Sequence, residues 1–508
     1  LKLKSILQAV EQTARRFPDR VAVGDEQTAC TYRDLTDRAR RIGSLVGTLG
    51  VRSRPVAVFL DKTPLCVCAF LGAAYSGNFY AVLDTQMPPE RIRGIFETLQ
   101  PAAVLTCRSY AESVRAFFSG PVLCVEDAPA AADEAFLASV RARSVDTDPL
   151  YALYTSGSTG RPKGAVVSHR AVLAYTQWTV ETFGFDENTV FGSQTPFYFS
   201  MSVTDLYSAL RTGGRLQIIP RKLFSFPLEL IAYLNTQRIN TLYWVPSAMC
   251  IVANWDTFAY AKPQYLQKVL FAGEVMPCKQ LNYWRRHFPD LYYANLFGPT
   301  ETTDICTYYV VDREFPDDGT LPIGRPCDNC GVFLLDEDGR EAPRGELCVR
   351  GSFLADGYYN DPEKTAAAFV PNPLQPAYPE TVYRTGDLVE WAPDGNLLYL
   401  GRRDNQIKHM GYRIELGEIE AAAGAAEKVS ACVCVYDAPA DRIVLLYQGR
   451  AKSDPLMAAL RARLPVYMLP NELIRLKAMP YNANGKIDRA YLNRHYRECE
   501  KQEETNHG

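Results

Sequence analysis

The chain has 508 residues, 47% of them hydrophobic and 22% charged, which is the balance of a globular protein too long for one ordinary compact domain. A formal net charge of −3 lacks the basic excess of a nucleic-acid binder, and no apolar run approaches the roughly 18–20 residues of a membrane span. The 14 cysteines are scattered rather than framed for disulfides, so free thiols in a reducing cytoplasm are expected.

In chain order, Thr31-x-x-Asp34 reads as a capping box, and Leu35, Ala39, Ile42, Leu45, Val46 and Leu49 recur at helical spacing until Gly50 stops the helix. Residues 55–60 read as a buried strand. An apolar run at 150–154 then leads into Thr155-Ser156-Gly157-Ser158-Thr159-Gly160-Arg-Pro-Lys163-Gly, with Ala165-Val-Val167 after it. Three glycines and four Ser/Thr hydroxyls within residues 153–164 make a loop between strands whose backbone N–H groups can wrap a polyphosphate. It is not a Walker A loop, because no Gly-Lys-Ser/Thr closes it. Further strands are expected at 216–219, 241–245 and 269–272, alternating with amphipathic helices as in a parallel α/β sheet. Around 345–351 the pattern turns to short strands and hairpins, a small β-rich subdomain.

Cys327-Asp-Asn-Cys330 has no second pair beside it and reads as a turn rather than a zinc site, while Cys66, Cys68, Cys432 and Cys434 read as packed apolar positions. No metal site made of side chains alone is visible. Beyond residue 404 a compact piece of about 100 residues follows, a small-domain size. It reads as a strand at 406–410, an acidic helix at 416–428, strands at 431–436 and 443–447, a helix at 456–464 and a lysine-bearing loop. The expected division is therefore 1–403, 404–497 and a polar, frayed tail at 498–508.

The run at 153–164 resembles the phosphate loop of the adenylate-forming superfamily. Four further blocks match, in order and spacing, amino-acid adenylation domains of nonribosomal peptide synthetases and stand-alone relatives such as D-alanyl carrier protein ligase. They are Asn295-Leu-Phe-Gly-Pro-Thr-Glu-Thr-Thr303, Tyr383-Arg-Thr-Gly-Asp387-Leu, Gly401-Arg-Arg-Asp404-Asn-Gln-Ile-Lys and Asn484-Gly-Lys486. The resemblance covers nearly the whole chain and implies a large α/β domain with a β-rich subdomain, followed by a small mobile α+β domain.

By that resemblance Phe297 stacks on adenine and Asn295 reads its exocyclic amine, with Gly298, Gly273 and Glu274 also at the nucleotide. Thr300 bonds the α-phosphate, Glu301 holds Mg²⁺, Asp387 takes the ribose hydroxyls, and Arg402 approaches ribose or phosphate. Asp404 is the hinge, and Lys486 bridges the acid and the α-phosphate. Each residue also has an ordinary alternative: Phe297 in a core, Asp387, Arg402 and Asp404 in solvated turns, Lys486 in a surface loop. The implied reaction forms an acyl-AMP from ATP and a carboxylic acid, then transfers the acyl group to the phosphopantetheine thiol of a separate carrier protein. No nucleic acid and no membrane insertion enter this scheme.

The same alignment lines the acid pocket with Ser200, Met201, Thr204, Tyr243, Leu270, Ala272, Leu296, Asp304 and Ile305. Family members that activate α-amino acids carry an aspartate where this chain has Ser200, so the usual partner of the α-ammonium is missing. Asp304 is the one acid in the set. Either it pairs with an amine placed away from the α-carbon, or it lies solvated on a loop and the substrate is a neutral hydroxy, keto or aryl acid. Alternatives for the whole chain are an acyl-CoA synthetase using free CoA, a non-catalytic binding protein and, remotely, a luciferase-type oxygenase. A free-standing enzyme is expected over an excised domain.

Overall fold

The computed structural model describes residues 3–157, 161–403, 406–480 and 487–504. Its contacts divide the chain into two units. The larger comprises Leu1–Thr85, Thr98–Tyr154 and Gly164–Arg403, and the smaller comprises Gln86–Glu97, Thr155–Lys163 and Asp404–Gly508.

The larger unit is built on a nine-stranded sheet. Its centre is a parallel run of Arg215–Ile218, Val190–Ser193, Thr241–Trp244, Lys268–Ala272 and Tyr292–Phe297, with antiparallel strands at each edge. These strands are almost wholly buried, which is why they read as continuous apolar runs rather than alternations. A seven-stranded sheet holds Pro55–Phe59 in parallel between Phe79–Leu83 and Ala103–Thr106. The helix Pro64–Tyr75 is apolar on every side and carries Cys66 and Cys68 into the core. The β-rich part is a five-stranded antiparallel sheet that includes Arg344–Gly351, Thr381–Trp391 and Leu397–Arg402. The capping box at Thr31 is formed, and its helix ends at Gly47, three residues before Gly50.

In the smaller unit the hairpin Gln406–His409/Tyr412–Glu415 precedes the helix Leu416–Gly424. That helix stops four residues short of the expected end: Lys428 takes a left-handed φ of 66°, and the strand Val429–Asp437 starts behind it. This strand pairs with Arg442–Gly449, which pairs in turn with Glu472–Leu476, a strand the sequence reading did not pick out. The stretch expected to fray from 498 instead continues a helix, Arg489–Glu504. Cys434 is buried as expected, whereas Cys432 is half-buried with its Sγ 3.2 Å from the Glu420 carbonyl. Among the described residues no helix is long and apolar enough to cross a membrane.

Candidate active site

Ligands of parallel α/β sheets bind outside the carboxyl ends of the strands, and most of the motif residues gather there. Register pairs Ser193 with Tyr243, Tyr243 with Leu270, and Ala272 with Leu296. Since side chains alternate along a strand, these five residues share one sheet face. Asn295 and Phe297 flank Leu296 and so point to the other. One strand thus serves both a candidate acid pocket and a candidate nucleotide site.

The chain after Phe297 folds back on itself. A Cβ on Gly298 would lie 2.3 Å from the Asp304 carbonyl oxygen and 2.5 Å from the Ile305 Cα, so only glycine fits this approach. Inside the fold-back, Thr303 has φ 68° and ψ −56°, and the Asp304 N–H donates to the Thr302 carbonyl at 2.8 Å. This is a γ-turn of the rarer, strained hand, here imposed on a β-branched residue. It is held from outside: Thr303 Oγ1 donates to the Phe353 carbonyl at 2.7 Å, and the Tyr151 hydroxyl donates to the Thr303 carbonyl at 3.5 Å.

The turn delivers Asp304 into the interior, 1% exposed. Asp304 is therefore buried rather than solvated on a loop. Its Oδ2 accepts hydrogen bonds from Thr204 Oγ1 at 2.5 Å, the Tyr243 hydroxyl at 3.0 Å and the Tyr175 hydroxyl at 3.1 Å. The Ser200 hydroxyl also helps to lower its pKa. Burial pushes the carboxyl up to about 6, and the hydroxyl donors pull against that rise. Burial, and then the charge of Asp304, drive the Tyr243 and Tyr175 phenols far above their usual range, so both act as donors. Among the described residues no lysine, arginine or histidine lies within ion-pair distance of Asp304. Met201, Leu270, Ala272, Leu296 and Ile305 are buried as well. Tyr175 was not found from sequence: it lies on the helix His169–Phe183, 129 residues before Asp304, where it reads as one more core aromatic.

The nucleotide block touches this pocket directly, since Thr300 Oγ1 donates to Ser200 Oγ at 3.3 Å. Glu301 is fully buried and its Oε1 accepts from the Tyr358 hydroxyl at 2.6 Å, another partner that sequence reasoning missed. Asn295 Nδ2 donates to the Pro322 carbonyl at 2.8 Å, which turns Oδ1 away from that carbonyl. The Phe297 ring packs 5.7 Å from that of Tyr399. Gly273 takes φ 91° just past the strand Lys268–Ala272, and Glu274 accepts from the Ser247 N–H at 2.7 Å. Asp387 and Arg402 lie opposite each other on paired strands and form a buried ion pair at 2.9 Å. No cluster of three metal-binding side chains occurs among the described residues. One carboxylate such as Glu301 still suits a magnesium ion held mainly by phosphate oxygens and water.

Within the smaller unit, the strand that ends at Thr155 leads into the glycine-rich loop and Lys163 opens the next strand. Thr155 Oγ1 is buried with no hydrogen-bond partner among the described residues. Ser156 Oγ donates to the Arg413 carbonyl at 2.7 Å and accepts from the Glu415 N–H at 3.2 Å. A Cβ on Gly157 would lie 2.0 Å from the Arg161 carbonyl oxygen. Ser158, Thr159, Gly160, Asp404 and Lys486 lie outside the described residues.

Residues 10–359 match the family model described as AMP-binding enzyme. The chain belongs to the AMP-binding enzyme family. This AMP-binding enzyme is 32% identical over 502 residues to tyrocidine synthase 1 of Brevibacillus parabrevis, covering 96% of the chain and 45% of that protein. It is 31% identical over 499 residues to gramicidin S synthase 2 of Brevibacillus brevis, covering 96% of the chain and 11% of the relative. The enzyme thus spans less than half the length of these relatives. In fold it is similar to NpsA-ThdA, an artificially fused adenylation–PCP di-domain NRPS from Klebsiella oxytoca. The TM-score is 0.81 at 21% identity, covering 94% of this chain and 95% of that one. The family match, the sequence relatives and the fold therefore agree with one another, the last two over nearly the whole chain.

Proposed function

We propose that this enzyme joins a carboxylic acid to the AMP moiety of ATP and then transfers the acyl group to the phosphopantetheine thiol of a carrier protein. The observation that carries this reading is the contact of Thr300 with Ser200, where a nucleotide-block hydroxyl meets an acid-pocket hydroxyl. An acid carboxylate held there is already ionised at neutral pH. Its oxygen attacks the α-phosphorus, the bond to the β-phosphate oxygen breaks, and pyrophosphate leaves with the electron pair. The thiolate then attacks the acyl carbon and AMP departs.

Adenylate-forming enzymes use ATP and Mg²⁺. Here Glu301 would hold the ion, whose chemistry is to neutralise phosphate charge. Asn295 and Phe297 take the adenine, Asp387 and Arg402 take the ribose, and the 155–163 loop takes the phosphates. Lys486 screens the two anions as they approach. The acid is read as one whose amine lies away from the α-carbon, because Ser200 cannot neutralise an α-ammonium and Asp304, ringed by hydroxyls, can neutralise a more distant one.

The test is ATP–pyrophosphate exchange across α-, β- and ω-amino acids and aryl, hydroxy and keto acids, with and without Mg²⁺. Exchange with β- or ω-amino acids, abolished without Mg²⁺, is the expected result. Preference for an ordinary α-amino acid would sink the amine reading and leave acid activation standing. Silence with every acid would sink activation itself. Consumption of the adenylate by free CoA in preference to a loaded carrier would make the enzyme an acyl-CoA synthetase.

A further inference from the structure

A second charged group lies beside the acid pocket, and the scheme above does not use it. Lys62 follows the strand Pro55–Phe59, and its Nζ donates to the carbonyl and the hydroxyl of Ser193 at 3.0 and 3.1 Å. The ammonium also lies 5.3 Å from the centre of the Phe197 ring. Ser193 ends its strand in register with Tyr243, one of the donors to Asp304. Asp205, whose carboxyl the Lys62 charge and the Ser193 hydroxyl both pull downward, is 2% exposed and next in sequence to Thr204, another Asp304 donor. Asp205 Oδ1 is buried with no hydrogen-bond partner among the described residues. Two buried acids and one half-buried cation therefore lie around Ser193 and Tyr243, and one acid is left over.

We propose that Lys62 is a positioning residue of the acid pocket: anchored on Ser193, it neutralises Asp205 and leaves Asp304 as the uncompensated carboxylate that faces the substrate. The inference rests on the amine-recognition reading of Asp304. The ionisable groups around the trio fit it. Asp304 faces Tyr175, Tyr243, Tyr151, Asp205 and Cys327, and the phenols and the Cys327 thiol are driven well above neutrality by burial. Lys62 faces Asp205 and Cys66, and the Cys66 thiol, which also faces Asp61, is raised likewise by burial. Desolvation lowers the Lys62 ammonium to about 8 against the pull of Asp205, and burial raises Asp205 to about 7 against the pull of Lys62. Without Lys62, two neighbouring carboxylates compete for ionisation and Asp304 keeps its proton to higher pH. Without Asp205, the surplus ammonium favours ionised Asp304 and opposes a cationic substrate.

The experiment is the pH profile of kcat/KM for the best amine-bearing acid, by pyrophosphate exchange on the full chain, with K62M, D205N and the double variant. K62M should move the acidic limb upward by about one unit and so lower kcat/KM for the acid about tenfold at pH values below 6 but only about twofold at pH 7, with the KM of ATP unchanged within about twofold. D205N should move the limb downward, and the double variant should return it to the wild-type position. A merely structural role predicts no such opposite shifts and no rescue. Limbs that stay put, or move together, overturn the inference. If K62M does not fold, the downward shift in D205N and its reversal in the double variant decide the matter. Wild-type exchange driven only by acids without an amine would overturn the amine reading and this inference with it, whereas amine-driven exchange with unmoved limbs overturns this inference alone.

Discussion

Asp304 and Asp387 belong to the same unit and are about equally buried, at 1% and 2% exposure, yet the fold equips them for opposite tasks. Asp387 meets a guanidinium from the adjacent strand at 2.9 Å, so its charge is already balanced. Asp304 meets only hydroxyls, which satisfy its lone pairs without cancelling its charge. A neutralised carboxylate can still offer a hydrogen bond to a neutral sugar. An unneutralised one has capacity for a cation, and it is held ready by groups that require no rearrangement. Residue type and depth therefore do not decide the role of a buried acid; its partners do.

The comparison can be broken most forcefully at Asp387. Asp387→Asn removes the negative charge that faces the buried Arg402 guanidinium, which should cost about 3–5 kcal/mol of stability and weaken ATP binding, read as Tm and the KM for ATP. Asp304→Asn strands no cation, so the protein should keep its fold. Its loss should instead appear as a fall of about 100-fold in kcat/KM for the amine-bearing acid, with the KM for ATP nearly unchanged. Equal effects of the two variants on ATP would erase the distinction.

pH sharpens it. The Asp304 carboxyl is raised to about 6 from the ordinary 3.8, so the native protein holds a proton there that the unfolded chain has already released. Stability from this group is complete below the unfolded value and is lost as pH rises through about 6, while cation recognition runs the other way. In wild type, kcat/KM for the amine-bearing acid should therefore fall as pH drops below about 6, and a profile flat from pH 5 to 8 would contradict this. The smallest expected effect is that of Tyr175→Phe, which removes one of three strong donors to Oδ2. It should cost about 1–1.5 kcal/mol of acid affinity and move the acidic limb upward. An unmoved limb would mean that Tyr175 only packs.

Much of the fold was legible before any coordinates. The capping box at Thr31, the apolar strands flanking the 155–163 loop and the hairpin-rich stretch around 344–351 are local patterns, and local patterns survive folding. The ends of elements were less legible. The helix after Leu416 stops at Gly424, short of the left-handed Lys428 that precedes the next strand, and the helix Arg489–Glu504, which runs past 498, packs Leu492 and Tyr496 in the small unit's core. Neither feature has a signature in a short window of sequence.

For the candidate site, the sequence by itself supplied the inventory: the ordered blocks from Thr155 to Asn484, the missing acid at Ser200 and the lone acid at Asp304. It also supplied a glycine at 298, although the reason lies in space, where a Cβ would strike the chain returning at 304–306. Only the tertiary structure decided that Asp304 is buried rather than solvated, and that Tyr175, Thr204 and Tyr243 converge on one of its oxygens. It alone revealed that Glu301 leans on Tyr358 and that Lys62 and Asp205 flank Ser193. The physical reason is range. A motif records which atoms chemistry needs, whereas charge and protonation depend on neighbours within a few ångströms that come from elements 57 to 131 residues apart in sequence.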